Sequence, residues 1–340
     1  MTSDDSTPRA AQAVPVASYL ALQRTGELER RAQALVRRLS SCDICPLRCG
    51  VDRAQGALGY CRSPRQPVVA SACAHRGEEP PVSGSRGSGT IFFANCNLRC
   101  VFCQNHQISQ DPGAFVSRAS SAEDLARTML RLQDGEHCHN INLVSPSHFV
   151  PQILEALCLA VPLGLRLPLV YNTNAYDLVE TLRLLDGIVD IYLPDLKYAS
   201  APVAARLSGA VDYVAVARAA IAEMYRQVGG ALALDDDGVV ARGLIVRHLV
   251  LPGGLAGSAD SLGWLAAEVG SDITLSLMSQ YYPAHRAHEF SVLSRRVQPR
   301  EYHAVVARAQ ALGFDHIWAQ DAGASSHYRP DFEREGHPFE

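Results

Sequence analysis

Three cysteines stand within eight residues of this chain, as Cys96-x3-Cys100-x2-Cys103. Three thiolates at this spacing suit three irons of a [4Fe–4S] cube, which ordinarily takes four cysteines. The missing fourth ligand leaves one iron open to another molecule, much as a vacant position separates a catalytic zinc from a structural one. A zinc knuckle or a set of buried free thiols is the blander reading of the same residues. A second group, Cys42-x2-Cys45-x3-Cys49-x11-Cys61, brings four thiols into twenty residues. Four soft thiolates on a loop suit either a structural tetrahedral zinc or a second [4Fe–4S] cluster, and the spacing does not choose between them. Cys73, Cys138 and Cys158 read as ordinary thiols, and His137-Cys138-His139 as a solvated connection.

The chain has 340 residues and ten cysteines. A disulfide scaffold would be short and secreted. This chain is long, and it opens on the polar residues MTSDDSTPRA instead of an export signal. The expected location is therefore cytoplasmic, where clustered thiols mean metal or catalysis. A hydrophobic content of 47% excludes disordered and collagen-like classes. No run of 18 apolar residues is present, so no membrane span is expected. A net charge of −4 gives no reason to expect nucleic acid.

The elements that must position these thiols follow from periodicity. Apolar runs at 90–94, 141–144, 167–171, 188–193, 244–251 and 274–278 read as strands, with a short last one possible within 316–321. Helical patterns lie between them, near 121–132, 149–160, 177–185, 212–228, 260–269 and 299–312. Ser121 and Asp124 have the spacing of a capping box, with Asp where Glu or Gln is usual. Residues 231–243 read as a turn or hairpin insertion. Alternating strands and helices predict an α/β fold with a parallel sheet and crossover helices. Ligands then belong at the C-terminal ends of the strands. The first strand runs straight into Cys96. The glycines at 84–89 lack the lysine of a phosphate loop and precede a strand, so no phosphate site is expected there.

The stretch GSGTIFFANCNLRCVFCQNHQIS (87–109), with Phe102 just before the last cysteine, resembles the signature of the radical S-adenosylmethionine enzymes. The resemblance spans about residues 40–315. It is closest to the branch related to pyruvate formate-lyase activating enzymes, in a subtype with an added N-terminal cysteine segment. It implies a partial (βα)6 TIM-like barrel with an N-terminal cysteine-rich metal-binding extension. It also implies a [4Fe–4S] cluster on Cys96, Cys100 and Cys103, with S-adenosylmethionine chelating the open iron. Reductive cleavage would then yield methionine and a 5′-deoxyadenosyl radical that takes a hydrogen atom from substrate. Other cosubstrate contacts carry over one position at a time. Asn172 and Asn174 match a segment near the ribose, with Asn172 replacing an aspartate. Asp195 and Lys197 match an Asp-Leu-Lys segment whose lysine suits a carboxylate. Arg247 matches an arginine beside the cosubstrate, and Tyr281 a residue near the adenine or ribose. Ser145 begins the segment that replaces the family's Gly-Gly-Glu.

Arg247 and His248 are neighbours on a strand, so only one of them can face the lumen. His75, Arg76, Glu78 and Glu79 are expected on the approach to the site. The expected organisation is a mobile tail (1–27), a helix plus metal-binding segment (28–84), the barrel (85–315) and a C-terminal strand and tail (316–340). An electron donor such as flavodoxin or ferredoxin is the implied partner. The leading expectation for substrate is a glycine of a glycyl radical enzyme. The alternatives are direct radical modification of a peptide or small metabolite, and a non-catalytic metal or redox-sensing protein.

Overall fold

The computed structural model describes residues 17–111, 118–321, 329–334 and 338–339. Its centre is one sheet with the strand order β1–β2–β3–β4–β5–β7–β8–β9. The strands are β1 (Val69–His75), β2 (Ser88–Phe93), β3 (Ile141–Val144), β4 (Leu169–Thr173), β5 (Ile191–Pro194), β6 (Ala233–Leu234), β7 (Val240–Leu249), β8 (Thr274–Met278) and β9 (Ile317–Ala319). From β2 to β9 the main path is parallel, while β1 joins β2 antiparallel. This is the α/β fold with a parallel sheet that the alternating pattern predicts, in the partial TIM-like barrel that the resemblance implies. β6 forms a small antiparallel flap on β7, within the segment read as a hairpin insertion.

β2, β4, β5 and β8 are buried along their whole length, as a parallel sheet covered by helices requires. The helix Ala122–Leu130 shows how local sequence sets a start. The Ser121 hydroxyl accepts the Asp124 N–H at 3.1 Å, and the Asp124 carboxylate accepts the Ser121 N–H at 2.9 Å. The shorter Asp side chain therefore closes the box at the helix where the sequence pattern put one. Other crossover helices are Val150–Ala160, Val179–Arg183, Tyr213–Val228 and Ser258–Trp264.

Alternation along the strands decides what enters the lumen. Val82, Val170, Ile191, Leu193 and Ile245 form a separate apolar cluster. Val82 belongs to the segment joining β1 to β2, and its carbonyl accepts from Asn140 at the start of β3. This segment therefore plugs the N-terminal end of the barrel with aliphatic packing. The polar side chains Asn172, Arg247 and Ser276 come next along the same inward faces, towards the strand C-termini.

Four local expectations differ from the structure. Residues 17–27, expected within the mobile tail, are folded. Tyr19 is fully buried and its hydroxyl donates to the Leu167 carbonyl at 2.8 Å. Val69–His75 is a strand, although its Ala- and Ser-rich sequence gave no such signal. Ala201–Ser208 is a helix that periodicity did not reveal. Finally, Cys138 and His139 are buried instead of solvated, with the His139 ring accepting the Arg86 N–H at 3.1 Å. At the other terminus, Phe332 and Phe339 pack against Phe92, with ring centroids 5.3 and 5.7 Å away.

Candidate functional site

The cysteine loop leaves β2 through Asn95, whose φ of 69° turns the chain sharply. Asn tolerates the left-handed region better than most residues. The Asn95 N–H donates to the Ile108 carbonyl at 2.7 Å, closing the loop on itself. Each thiol has a hydrogen-bond partner. Cys96 Sγ accepts from the Leu98 N–H and from Asn174 Nδ2, both at 3.4 Å. Cys100 Sγ accepts from the Ser208 hydroxyl at 3.0 Å. Cys103 Sγ and the Ser109 hydroxyl are 3.2 Å apart. Burial pushes the thiol pKa values up, to about 11 for Cys96 and about 12 for Cys103. Cys100 also rises through burial, opposed by the nearby Lys197 ammonium. Such thiols keep their protons until a metal takes their place.

Lys197 follows β5 with Asp195. Its Nζ donates to Asp195 at 2.6 Å. Burial works against its charge, but Asp195 and the Cys100 thiol hold its pKa above the ordinary lysine value. The Tyr213 hydroxyl accepts the Lys197 N–H at 3.0 Å and faces the carbonyls of Asn174 and Asp195, which anchors the turn. A fixed cation thus lies within the field of the cysteine loop.

Below the loop is a cavity of about 670 Å³, a size suited to one or two small organic molecules. All three cysteines line it, and so do Phe102, Ser145, Asn172, Asn174, Asp195, Lys197 and Arg247. The structure therefore brings together seven of the eight predicted cofactor-contacting residues. Tyr281 stands apart: its ring packs edge-on behind Phe102 at 5.9 Å, and its hydroxyl donates to the Leu293 carbonyl. Gln280 lines the cavity instead. Ser145 has a φ of 56°, an uncommon conformation for a residue other than glycine.

Arg247 faces the lumen, and His248 points the other way, between the Leu196 carbonyl and the Ser258 hydroxyl. The Arg247 guanidinium is already engaged. Its Nε and Nη2 grip the Glu79 carboxylate at 2.8 and 2.6 Å, Nη2 also meets Glu78, and Nη1 donates to Asn172 at 3.1 Å. Burial would raise the Glu79 pKa, but the guanidinium holds it below the carboxylate norm. Glu78 and Glu79, expected on the approach, are thus partners of Arg247 within the cavity.

In the N-terminal group, Cys42, Cys45 and Cys61 are buried and Cys49 is exposed. The Cys45 thiol lies within the field of the other three, and burial pushes its pKa up to about 12. At Gly59 a Cβ would stand 2.4 Å from Cys49 Sγ, so a side chain there would displace this thiol. The fully buried Arg53 ties the segment to the barrel by donating to the carbonyls of His148 and Pro64, each at 2.8 Å. Arg99, inside the cysteine loop, lies over the Tyr60 ring at 4.8 Å and donates to the Cys96 carbonyl. The two cysteine segments are therefore in direct contact through Tyr60 and Arg99. Among the described residues, no three Cys, His, Asp or Glu side chains stand in a geometry that would hold a metal ion, at either cysteine group.

The thiol partners Ser109 and Ser208 carry no sequence signal as site residues. Ser208 is 108 positions from the cysteine it contacts.

A strand that delivers three cysteines over a polar lumen suits a loop that holds a metal cluster. Residues 90–227 match the family model of the Radical SAM superfamily, and this segment is a radical SAM domain. It contains all three cysteines of the loop, whereas Arg247 and the four N-terminal cysteines lie outside it. The chain is also similar to an uncharacterised protein of Methanocaldococcus jannaschii, at 28% identity over 284 residues, covering 82% of this chain and 77% of that protein. Superfamily membership implies a [4Fe–4S] cluster, S-adenosylmethionine and a source of electrons. No helix among the described residues is long and apolar enough to cross a membrane.

Proposed function

We propose that the protein is a radical S-adenosylmethionine enzyme whose catalytic cluster is held by Cys96, Cys100 and Cys103. The observation that carries this reading is the set of three loop thiols lining one cavity with Lys197 and Asp195. The donor set fits the cluster: three sulfurs, each with an N–H or O–H partner, and a buried ammonium to offset thiolate charge. The bound pair would supply reductive sulfonium cleavage and a 5′-deoxyadenosyl radical. The protein's own part is to hold the carboxylate end of the cosubstrate by Lys197 and to keep stray hydrogen donors out of the lumen. Ser145, Asn172 and Asn174 line the remaining wall.

For the substrate, hydrogen abstraction from a glycine of a glycyl radical enzyme remains the reading by resemblance. Direct modification of a small molecule is favoured by a specific observation: the lumen is plugged at one end and enclosed by charged side chains. The four N-terminal thiols suit a second metal, either zinc or a second cluster. The spacing of four thiols within twenty residues and the room that Gly59 leaves beside Cys49 support this reading.

Anaerobic reconstitution followed by metal analysis and electron paramagnetic resonance tests the ligand sets. The expected wild-type content is four irons with one zinc, or eight irons. Cys100→Ala should lose four irons and the spectral change that S-adenosylmethionine causes, while keeping the N-terminal metal. Retention of that spectral change in Cys100→Ala would overturn the assignment.

A further inference from the structure

Strand register orders one layer of side chains in the cavity wall. Phe92, Val144 and Asn172 stand side by side on β2, β3 and β4, and Arg247, Ser276 and Trp318 on β7, β8 and β9. All six line the cavity. The middle of the layer is polar and satisfies itself. Arg247 donates to Asn172 and to Glu79, and Ser276 hydrogen-bonds to Glu79. Both flanks of the layer are aromatic.

The flanks meet at the seam of the barrel, where β1 and β9, the two ends of the sheet, do not pair with each other. His75 at the end of β1, Phe92, Trp318 and Phe339 of the C-terminal segment all line the cavity there. The Phe339 ring leans on His75, with centroids 4.2 Å apart, and on Phe92 at 5.7 Å. Trp318 differs from these three. It is half-buried on the inward face beside Ser276, and among the described residues its indole has neither a ring neighbour nor a hydrogen-bond partner. An indole in a cavity wall offers a flat apolar face and one donor. Water held against Trp318, Leu249 and Met278, which line the same side, is unfavourable, and a flat ring would displace it. Rings gain an edge-on or offset attraction to other rings that an alkyl group of equal size does not.

We propose that the seam is a recess for a planar ring carried by the substrate, an aromatic small molecule whose ring packs against Trp318 and Phe339. This deepens the proposed radical function and rests on it, because the cysteine loop lines the same cavity. The residues assigned to the cosubstrate, Asn172, Asn174 and Lys197, lie on β4 or just after β4 and β5. Those strands stand midway in the sheet order, across the lumen from the seam. Trp318 and Phe339 are then specificity-determining residues, and the self-paired polar layer between the two sides takes no ligand of its own.

The test uses the full chain, reconstituted with its cluster and left oxidised so that nothing is turned over. The probes are two alcohols of equal size, benzyl alcohol and cyclohexylmethanol. The cyclohexyl compound is the more apolar, so an unspecific apolar cavity would prefer it. Saturation-transfer NMR titrations should instead show benzyl alcohol binding about fivefold more tightly. Saturating S-adenosylmethionine should leave that binding in place. Trp318→Leu, folded as judged by its melting profile, should abolish the preference, and Phe339→Leu should reduce it. Equal binding of the two alcohols by the wild type, or tighter binding of cyclohexylmethanol, overturns the proposal. So does displacement of benzyl alcohol by S-adenosylmethionine, which would give the recess to the cosubstrate's adenine. A folded Trp318→Leu variant that keeps the preference does the same. If Trp318→Leu does not fold, Phe339→Leu and the competition decide the matter. The two failures are distinguishable: absence of 5′-deoxyadenosine from reduced wild type defeats the radical reading. Formation of 5′-deoxyadenosine without a preference for the aromatic probe defeats this inference alone.

Discussion

Ser208 and Ser109 carry more of the chemistry than their residue type suggests, because each places a hydroxyl against a sulfur of the cysteine loop. Hydrogen bonds to cluster sulfurs stabilise the reduced, more negative state, so they raise the reduction potential. Ser208→Ala should therefore lower the potential of the loop-bound cluster without changing its iron content, as read by a redox titration. An unchanged potential would show that this contact is absent from the loaded protein. At this scale the cysteines were legible, because three thiols in eight residues have few other uses. Glu78 and Glu79 were legible only as residues on the approach; nothing in their neighbourhood reveals that Arg247, 168 positions on, would take them. Ser109 is only six positions from Cys103, and its residue type alone gave no signal. The Ser208 contact, 108 positions from its cysteine, was invisible for the same reason as the Arg247 pairs. Long-range pairs are made by the fold, and a single sequence does not encode them in its spacing. Tyr281 is a related case: its ring reaches Phe102, but its hydroxyl is turned away to Leu293.

Among the elements, the parallel strands were legible because their inward and outward faces are both buried, giving unbroken apolar runs. β1 was not, since Ala- and Ser-rich sequence has little strand preference. It is a strand because it lies antiparallel along β2 and finds its hydrogen bonds there. The helix Ala201–Ser208 was obscured by its shortness, at eight residues. The capping box at Ser121 was visible and works as read. Replacing Ser121 with Ala should cost about 1 kcal/mol of stability, measured by chemical denaturation, through loss of the bond to Asp124 N–H. In the N-terminal segment, a side chain at Gly59 would push the Cys49 thiol from its place. Gly59→Ala should therefore lower metal occupancy at the four-thiol site while leaving the iron bound by the Cys96 loop. Full occupancy in that variant would show that Cys49 can withdraw without loss, and hence is not a ligand.

For the whole molecule, two buried histidines link stability to pH. Burial pushes the pKa of His148 down to about 3 and that of His248 down to about 4, well below the ordinary value. Both are neutral in the fold and gain a proton more readily when unfolded. Their contribution is therefore complete above about pH 6.5 and is lost as pH falls from there towards the folded values. By pH 5 the loss should be on the order of 2 kcal/mol per histidine. Thermal midpoints measured between pH 7.5 and 5 should fall accordingly, and a flat profile would contradict the buried neutral state. The folded residues 17–27 and the packing of Phe332 and Phe339 on Phe92 extend the same body at both ends. The most direct test of the radical reading is product analysis. Anaerobically reconstituted protein, reduced with dithionite in the presence of S-adenosylmethionine, should form 5′-deoxyadenosine and methionine in equal amounts, and Cys96→Ala should form neither. A fully loaded, reduced protein that yields no 5′-deoxyadenosine would contradict the account.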